Sequence, residues 1–286
     1  VTRPTRAGAV ATCALGLAAA LWAPPAAAGC GDAPEACRIE GGSYHIVLPP
    51  GVIGDVPALI FLHGWGASGE AMLNLTDMVE TALARGYAVI APDGTPRDGR
   101  SGYGWGFSPD RPGPRDEIAF LKAVRDDAVA RHGIDAGRVI LGGFSIGGSM
   151  ASYLACAEPG AFAAYAPVAG AFWRPLPESC AGPVDLFHTH GWTDGVVPLE
   201  GRILGGGEPG DDDVFAQGDV WQAMQVWRAA NGCRPDASGH GETGIFWRRS
   251  WHECDSGRKL DFALHSGGHG VPEGWAAMAL DWFEGL

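Results

Sequence analysis

Short apolar runs alternate along the chain with longer segments of helical period, and this alternation narrows the available folds more than any other feature. Runs of strand length fall at 44–48, 58–62, 88–91, 139–142, 164–168, 184–189 and 260–264. Between them lie helical patterns near 70–84, 116–132, 147–157, 219–230 and 273–283. Such alternation predicts an α/β chain with a mostly parallel central sheet and helices on both of its faces. The segments Ala58-Leu59-Ile60-Phe61-Leu62 and Val139-Ile140-Leu141 are apolar without a period of two. Strands covered on both sides have that pattern.

The length of 286 residues and the 46% hydrophobic content suit one large domain with a substantial core. A net charge of −13, with no basic run longer than Arg248-Arg249, argues against a nucleic-acid partner. Residues 1–28 read as a secretory signal: Arg3 and Arg6 precede an apolar stretch, Pro24-Pro25 ends it, and Ala26-Ala27-Ala28 supplies small residues for cleavage. The apolar stretch is shorter than a membrane span needs, and no later segment resembles one. The expected product is a secreted or periplasmic catalytic domain, 29–286, with no membrane contact in its mature form.

Six cysteines remain beyond Cys13, and an even number in an oxidising compartment points to disulfides. They fall into local couples along the chain, so the expected pairs are Cys30–Cys37, Cys156–Cys180 and Cys233–Cys254. The competing reading is a lipobox at Ala27-Ala28-Gly29-Cys30. Lipidation of Cys30 would strand one thiol. No C-x-x-C spacing occurs, so a zinc site is not expected.

Gly143-Phe144-Ser145-Ile146-Gly147 is the one G-x-S-x-G in the chain. Its context matters more than the pattern, because Val139-Ile140-Leu141 precedes it as a strand and Gly147-Gly148-Ser149-Met150-Ala151 opens a helix. Strand, sharp turn and helix in that order make a nucleophile elbow, with glycines where a Cβ would clash. A serine hydroxyl needs a base, and the base needs an orienting carboxylate. In α/β-hydrolases these follow in the order Ser, acid, His.

The run at 260–264 leads into His265-Ser266-Gly267-Gly268-His269-Gly270, where His269 has the loop setting of a base and His265 that of a structural residue. The run at 184–189 leads through His190-Gly191-Trp192-Thr193 to Asp194, the expected acid. Asp185 lies within that strand, and Asp211, Asp212 and Asp213 lie in the glycine-rich segment 204–215, which reads as a surface loop and alternatively as a partial lid. His188-x-His190 lacks a third ligand at useful spacing and reads as structural. Donors for a developing oxyanion are expected from the Ile146 amide and from the Trp65 amide in His63-Gly64-Trp65-Gly66. His63 itself reads as a brace. Trp65, Trp105, Trp192 and Trp275 stand beside these motifs and are candidates to line a substrate cleft. Trp221, Trp227 and Trp282 fall in helical patterns and read as core.

The segments Gly41-Gly42-Ser43-Tyr44, Leu62-His63-Gly64-Trp65-Gly66, Tyr87-Ala88-Val89-Ile90-Ala91-Pro92, Gly143–Gly148, Ala166-Pro167-Val168-Ala169-Gly170, His190-Gly191-Trp192-Thr193-Asp194 and Gly267-Gly268-His269 together resemble the secreted polyhydroxybutyrate depolymerase and feruloyl esterase-like family of α/β-hydrolases. The resemblance covers nearly all of 29–286. It implies the α/β-hydrolase fold, Ser145 as nucleophile, Asp194 as acid, His269 as base, local disulfides that match the pairs above, and no metal or cofactor. Two features depart from the family pattern. Gly270-Val271-Pro272 replaces a frequent Thr-Trp-Pro, and no separate surface-binding domain accompanies the catalytic part. The resemblance therefore implies a serine esterase acting on hydroxyalkanoate oligomers, amorphous polymer or small esters. The alternatives are a feruloyl or acetyl-xylan type esterase, a serine peptidase, or an inactive binding protein on the same fold.

Overall fold

A computed structural model describes residues 1–2, 29–52, 54–207 and 214–286. The signal-peptide reading of 1–28 and the centre of the 204–215 loop lie outside the described residues.

The described elements open with an antiparallel pair, β1 (Cys37–Ile39) and β2 (Gly42–Val47), followed by β3 (Val56–Leu62), α1 (Gly69–Met72), α2 (Thr76–Ala84) and β4 (Ala88–Pro92). Two small ribbons follow, β5 (Thr95–Pro96) with β6 (Tyr103–Gly104) and β7 (Phe107–Ser108) with β8 (Arg111–Pro112). Then come α3 (Glu117–His132), β9 (Ile134–Phe144), α4 (Ile146–Ala157), β10 (Ala164–Val168) and β11 (Leu186–Gly191). A third ribbon joins β12 (Arg202–Ile203) to β13 (Ala216–Gln217), ahead of α5 (Val220–Asn231). The chain closes with β14 (Gly239–Thr243), β15 (Phe246–Trp251), β16 (Leu260–His265) and α6 (Trp275–Glu284).

Among the described residues, ten strands form the main sheet in the order β1-β2-β4-β3-β9-β10-β11-β16-β15-β14. The six from β4 to β16 are parallel, with antiparallel pairs at both edges. Every residue of β3 is buried, and its side chains divide by period of two. Ala58, Ile60 and Leu62 pack with Leu121 of α3, Leu154 of α4 and Trp227 of α5. Leu59 and Phe61 pack on the other face with Val79 of α2 and Trp275 of α6. The helices thus cover both faces, as the alternation predicts.

The helical pattern at 70–84 divides into α1 and α2. Leu73 and Met78 are both buried, yet five residues leave them about 140° out of phase on one helix. A break between them, where Leu75 adopts ψ 75°, lets both reach the core. Asp116 and Asp219 cap α3 and α5 by accepting from the amides of Ala119 and Gln222, and Gly133 and Gly232 end those helices at φ 66°. The hairpin of β14 and β15 has no counterpart in the sequence reading. Its residues are mostly exposed and polar, with only Phe246 and Trp251 buried in β15, so no apolar run marks it.

The three cysteine pairs form as expected, Cys30–Cys37, Cys156–Cys180 and Cys233–Cys254. With its sulfur bonded to Cys37, Cys30 has no thiol for a lipid. Among the described residues no helix is long and apolar enough to cross a membrane.

Candidate active site

Strand β3 lies between β4 and β9, and the chain order reverses direction across β3 and β9. Open α/β sheets bind ligands outside the carboxyl ends of strands at such a switch. Leu62 pairs with Gly143, so the turn after β3 and the turn after β9 emerge side by side. Ser145 occupies the second turn at φ 59° and ψ −123°, immediately before the first residue of α4. A side chain held there costs about 1–3 kcal/mol and persists because its surroundings over-determine it. The Ser145 amide donates to Val168 O at 2.9 Å, and the residues two positions away on either side, Gly143 and Gly147, are glycines by necessity. A Cβ on Gly143 would stand 2.5 Å from Gly147 O, and one on Gly147 would stand 2.5 Å from Leu62 O.

His269 follows β16 and Asp194 follows β11, two strands paired so that Gly191 faces His265. His269 Nε2 lies 2.9 Å from Ser145 Oγ, and Nδ1 lies 2.8 Å from Asp194 Oδ2. The imidazole also rests against the Phe144 ring, with centroids 4.7 Å apart. Asp194 is buried, and its Oδ1 accepts from the amides of Val196 and Val197, both at 2.8 Å. Burial pushes the Asp194 carboxyl upward, but the His269 hydrogen bond and those two amides outweigh it and hold the acid below its ordinary range. A hydroxyl, an imidazole and an ionised carboxylate in this order can pass a proton from Oγ to Nε2.

The other titratable groups nearby hold the loops. His190 Nε2 lies 2.8 Å from Val197 O, so it carries the proton and donates there. Its Nδ1 then accepts from His188 Nε2, 3.1 Å away. Burial lowers the pKa of both rings, and His188 also feels its neighbour. These bonds tie the pair to the backbone of the loop that follows β11. His265 Nδ1 accepts from the Gly267 amide. Asp185 accepts from Arg258 Nη1 and the Lys259 amide, both at 2.7 Å, at the opposite end of β11.

The turn after β3 is pinned by His63. The Gly94 amide donates to Nε2 at 2.9 Å, which leaves Nδ1–H to donate to Gly64 O at 2.8 Å. Burial lowers the pKa of this imidazole, in keeping with a neutral ring. Trp105 Nε1 donates to His63 O at 2.9 Å. Gly64 is close enough to the elbow that an added Cβ would touch Ser145 Cβ at 3.5 Å. The amide of Ile146 is the first of α4 and has no intrahelical acceptor, leaving it available to an anion beside Ser145.

Ser145 opens into a cavity of about 420 Å³ walled by Trp65, Trp105, Phe107, Trp173, Val197 and Phe215. A larger groove of about 820 Å³ lies beyond Phe107 and does not reach Ser145. Of the four tryptophans expected at the cleft, Trp65 and Trp105 line it. Trp192 and Trp275 do not. Trp192 is exposed outside the cavity wall. Trp275 is 1% exposed, packs on Phe61 and donates from Nε1 to Thr189 Oγ1, because it begins α6 on the side of the sheet away from the cavity. Trp227 and Trp282 are core as expected, whereas Trp221 is exposed with its ring edge against Phe262. The sequence reading missed Phe107, Trp173 and Phe215. They stand in short ribbons and loops, where no period distinguishes a cavity wall from ordinary packing. Phe215 closes the glycine-rich segment, and that position was the one available signal.

Fold and site together define a carboxylic ester hydrolase built on the α/β-hydrolase fold. The chain belongs to the family described as esterase PHB depolymerase, which it matches over residues 42–237. It is 30% identical over 257 residues to NocK of Nocardia uniformis subsp. tsuyamanensis, provisionally named an esterase, with 84% of this chain and 71% of that one covered. It is 26% identical over 264 residues to feruloyl esterase C of Emericella nidulans, covering 86% and 84% of the two chains. An acetyl xylan esterase from Aspergillus awamori superposes with a TM-score of 0.63 at 13% identity, over 86% of this chain and 95% of that one, a likeness of fold.

Proposed function

We propose that the protein is an exported serine esterase that cleaves hydroxyalkanoate esters, 3-hydroxybutyrate oligomers above all, through an acyl-enzyme. The observation that carries the reading is the unbroken chain from Ser145 Oγ through His269 to Asp194, at 2.9 and 2.8 Å. Ser145 attacks the ester carbonyl as His269 Nε2 takes its proton, and the Asp194 carboxylate stabilises the resulting imidazolium. The amides of Ile146 and Trp65 receive the oxyanion, each worth about 3 kcal/mol in the transition state. Nε2 then returns its proton to the leaving alcohol, and a water activated by the same nitrogen releases the acid.

The family's own description supports the hydroxyalkanoate substrate. A second reading, a feruloyl or acetyl-xylan type esterase, is favoured by the aromatic cavity wall and by the relative named as a feruloyl esterase. Export is supported by the three disulfides, which persist in oxidising compartments.

The test is turnover of 3-hydroxybutyrate trimer beside methyl ferulate and p-nitrophenyl acetate, with Ser145→Ala as the control. Release of 3-hydroxybutyrate at the highest kcat/KM supports the reading. Faster release of ferulate replaces it with the second one, and undiminished turnover by Ser145→Ala removes the nucleophile.

A further inference from the structure

The cavity that holds Ser145 is aromatic and aliphatic except for a polar side formed by Ser108, Arg111, Arg202 and Gln217. Two guanidiniums in a ligand cavity are out of keeping with a chain whose net charge is −13. They arrive from separate ribbons. Arg111 lies on β8 opposite Ser108 of β7, and its guanidinium stacks over the Phe215 ring at 4.2 Å from the centroid. Arg202 lies on β12 opposite Gln217 of β13. Its Nε donates to the buried Gln217 Oε1 at 3.2 Å and its Nη1 to Gly195 O at 3.3 Å.

Among the described residues, each guanidinium is oriented by neutral groups, an aromatic face in one case and two carbonyl oxygens in the other. Arg115, Arg248 and Arg258 elsewhere are each neutralised by a carboxylate. Among the described residues, Arg111 and Arg202 have no such ion pair. A guanidinium held in place by neutral contacts keeps its charge and part of its donor fork for a ligand.

We infer that Arg111 and Arg202 recognise a carboxylate on the substrate, and that the preferred ester carries one on its alcohol side. The inference rests on Ser145 being the nucleophile. A hydroxyalkanoate oligomer that ends in a free acid has this chemistry. In its last unit the carboxylate stands two carbons beyond the carbinol carbon of the scissile ester, within one residue's reach of the carbonyl under attack. A feruloyl or acetyl ester of a neutral sugar has no such group and gains nothing from either arginine. Arg111 and Arg202 would thus be specificity-determining residues that select terminal over internal bonds of a polyester.

The overall charge makes a clear contrast. A field set by −13 alone repels an anionic substrate and favours the neutral one. Two exposed guanidiniums acting locally reverse that order, by about threefold each and so about tenfold together at low salt.

The experiment compares kcat/KM for the 3-hydroxybutyrate dimer as free acid with that for the same dimer capped as its terminal amide, which adds no second ester. For the unaltered enzyme the acid-to-amide ratio should be about ten at low ionic strength and fall toward one as salt is raised. Arg202→Gln and Arg111→Gln should each lower the ratio by about threefold, mostly through KM, and the double variant should bring it to one or below. Because the readout is a ratio within one preparation, partial loss of folded enzyme does not alter it. A ratio at or below one in the unaltered enzyme overturns the inference, as does a ratio that survives both substitutions. Failure of the amide-capped dimer to turn over at all, together with p-nitrophenyl butyrate, would instead strike the underlying esterase reading.

Discussion

Replacing Asp194 by Asn tests the proposed proton path at its most specific point. The carboxylate accepts on both sides: Oδ1 from the amides of Val196 and Val197, and Oδ2 from His269 Nδ1. An amide side chain of the same shape has one accepting and one donating end. If its NH₂ faced the valine amides, donor would meet donor in a buried position, so the oxygen must stay there and the NH₂ must turn to His269. Nδ1 then has to accept, the ring proton moves to Nε2, and Nε2–H faces Ser145 Oγ at 2.9 Å. That tautomer cannot take the serine proton. The expected loss is about 10⁴-fold in kcat with little change in KM. The fold should be nearly unaffected, since every hydrogen bond keeps a partner. Asp194→Ala separates the two effects, because it strands the buried Val197 amide at a cost of about 1–3 kcal/mol and lowers the thermal midpoint as well as the rate. The assay is steady-state hydrolysis of p-nitrophenyl butyrate beside calorimetric melting of the same samples. An Asn variant retaining more than about a tenth of wild-type kcat would refute the tautomer argument.

Ser145→Gly should be inactive yet melt higher than Ser145→Ala, because only glycine relieves the φ of 59°, by about 1–3 kcal/mol; equal midpoints would show that the elbow stores no strain. Gly147→Ala should destabilise by at least about 1–3 kcal/mol and depress kcat, since its Cβ would press on the carbonyls of Leu62 and His63 that carry the oxyanion turn; a neutral midpoint and rate would contradict this. Stability should also depend on the buried imidazoles. His188 and His190 have pKa values lowered in the fold, chiefly by burial, so below about 6.5 the unfolded chain binds protons that the native one refuses. Their contribution is complete above that pH and is lost as pH falls from there toward the native values. Melting midpoints measured from pH 7 to pH 5 should decline, and His188→Gln, which can still donate to His190, should flatten the decline; an unchanged slope in the variant would assign the effect elsewhere.

Most of the sheet and all three members of the proposed triad are legible in the sequence, for a common reason. Buried parallel strands such as β3 and β10 need unbroken apolar runs, and the chemistry sits at their carboxyl ends, so each functional side chain is found by reading just past a run. Ser145, Asp194 and His269 follow β9, β11 and β16 in this way, and the Trp65 turn follows β3. Elements held by other forces leave no such trace. The β14–β15 hairpin puts only Phe246 and Trp251 into the core and is otherwise tied through Arg248 and Ser250, which reach the buried Asp261 of β16, so no apolar run announces it. Trp275 shows the converse failure. It stands next to a motif in sequence, but the start of a helix turns its ring into the core, where Thr189 satisfies its N–H.

The parts of the site that bind substrate sit on different supports from the parts that cleave it. The proposed triad follows β9, β11 and β16, which are buried over 139–143, 186–191 and 260–263, so its geometry tolerates little variation. Much of the cavity wall beyond the Trp65 turn instead comes from two-residue ribbons, β7 with β8 and β12 with β13, and from single aromatic contacts such as Trp173 on Phe215 at 4.4 Å. Short ribbons cost little to alter, because few backbone hydrogen bonds depend on them and loops accept change more readily than strands. Under the proposed reading, selectivity between hydroxyalkanoate and cinnamate-type esters shifts by substitutions at Arg111, Arg202 or Phe215 while the ester-cleaving geometry stays fixed. It follows that exchanging the β7–β8 and β12–β13 ribbons with those of a feruloyl esterase relative should move kcat/KM between 3-hydroxybutyrate oligomers and methyl ferulate by more than any single change near Ser145 that preserves activity. If the exchange altered turnover of both substrates in equal proportion, selectivity would have to reside in the sheet-borne turns instead.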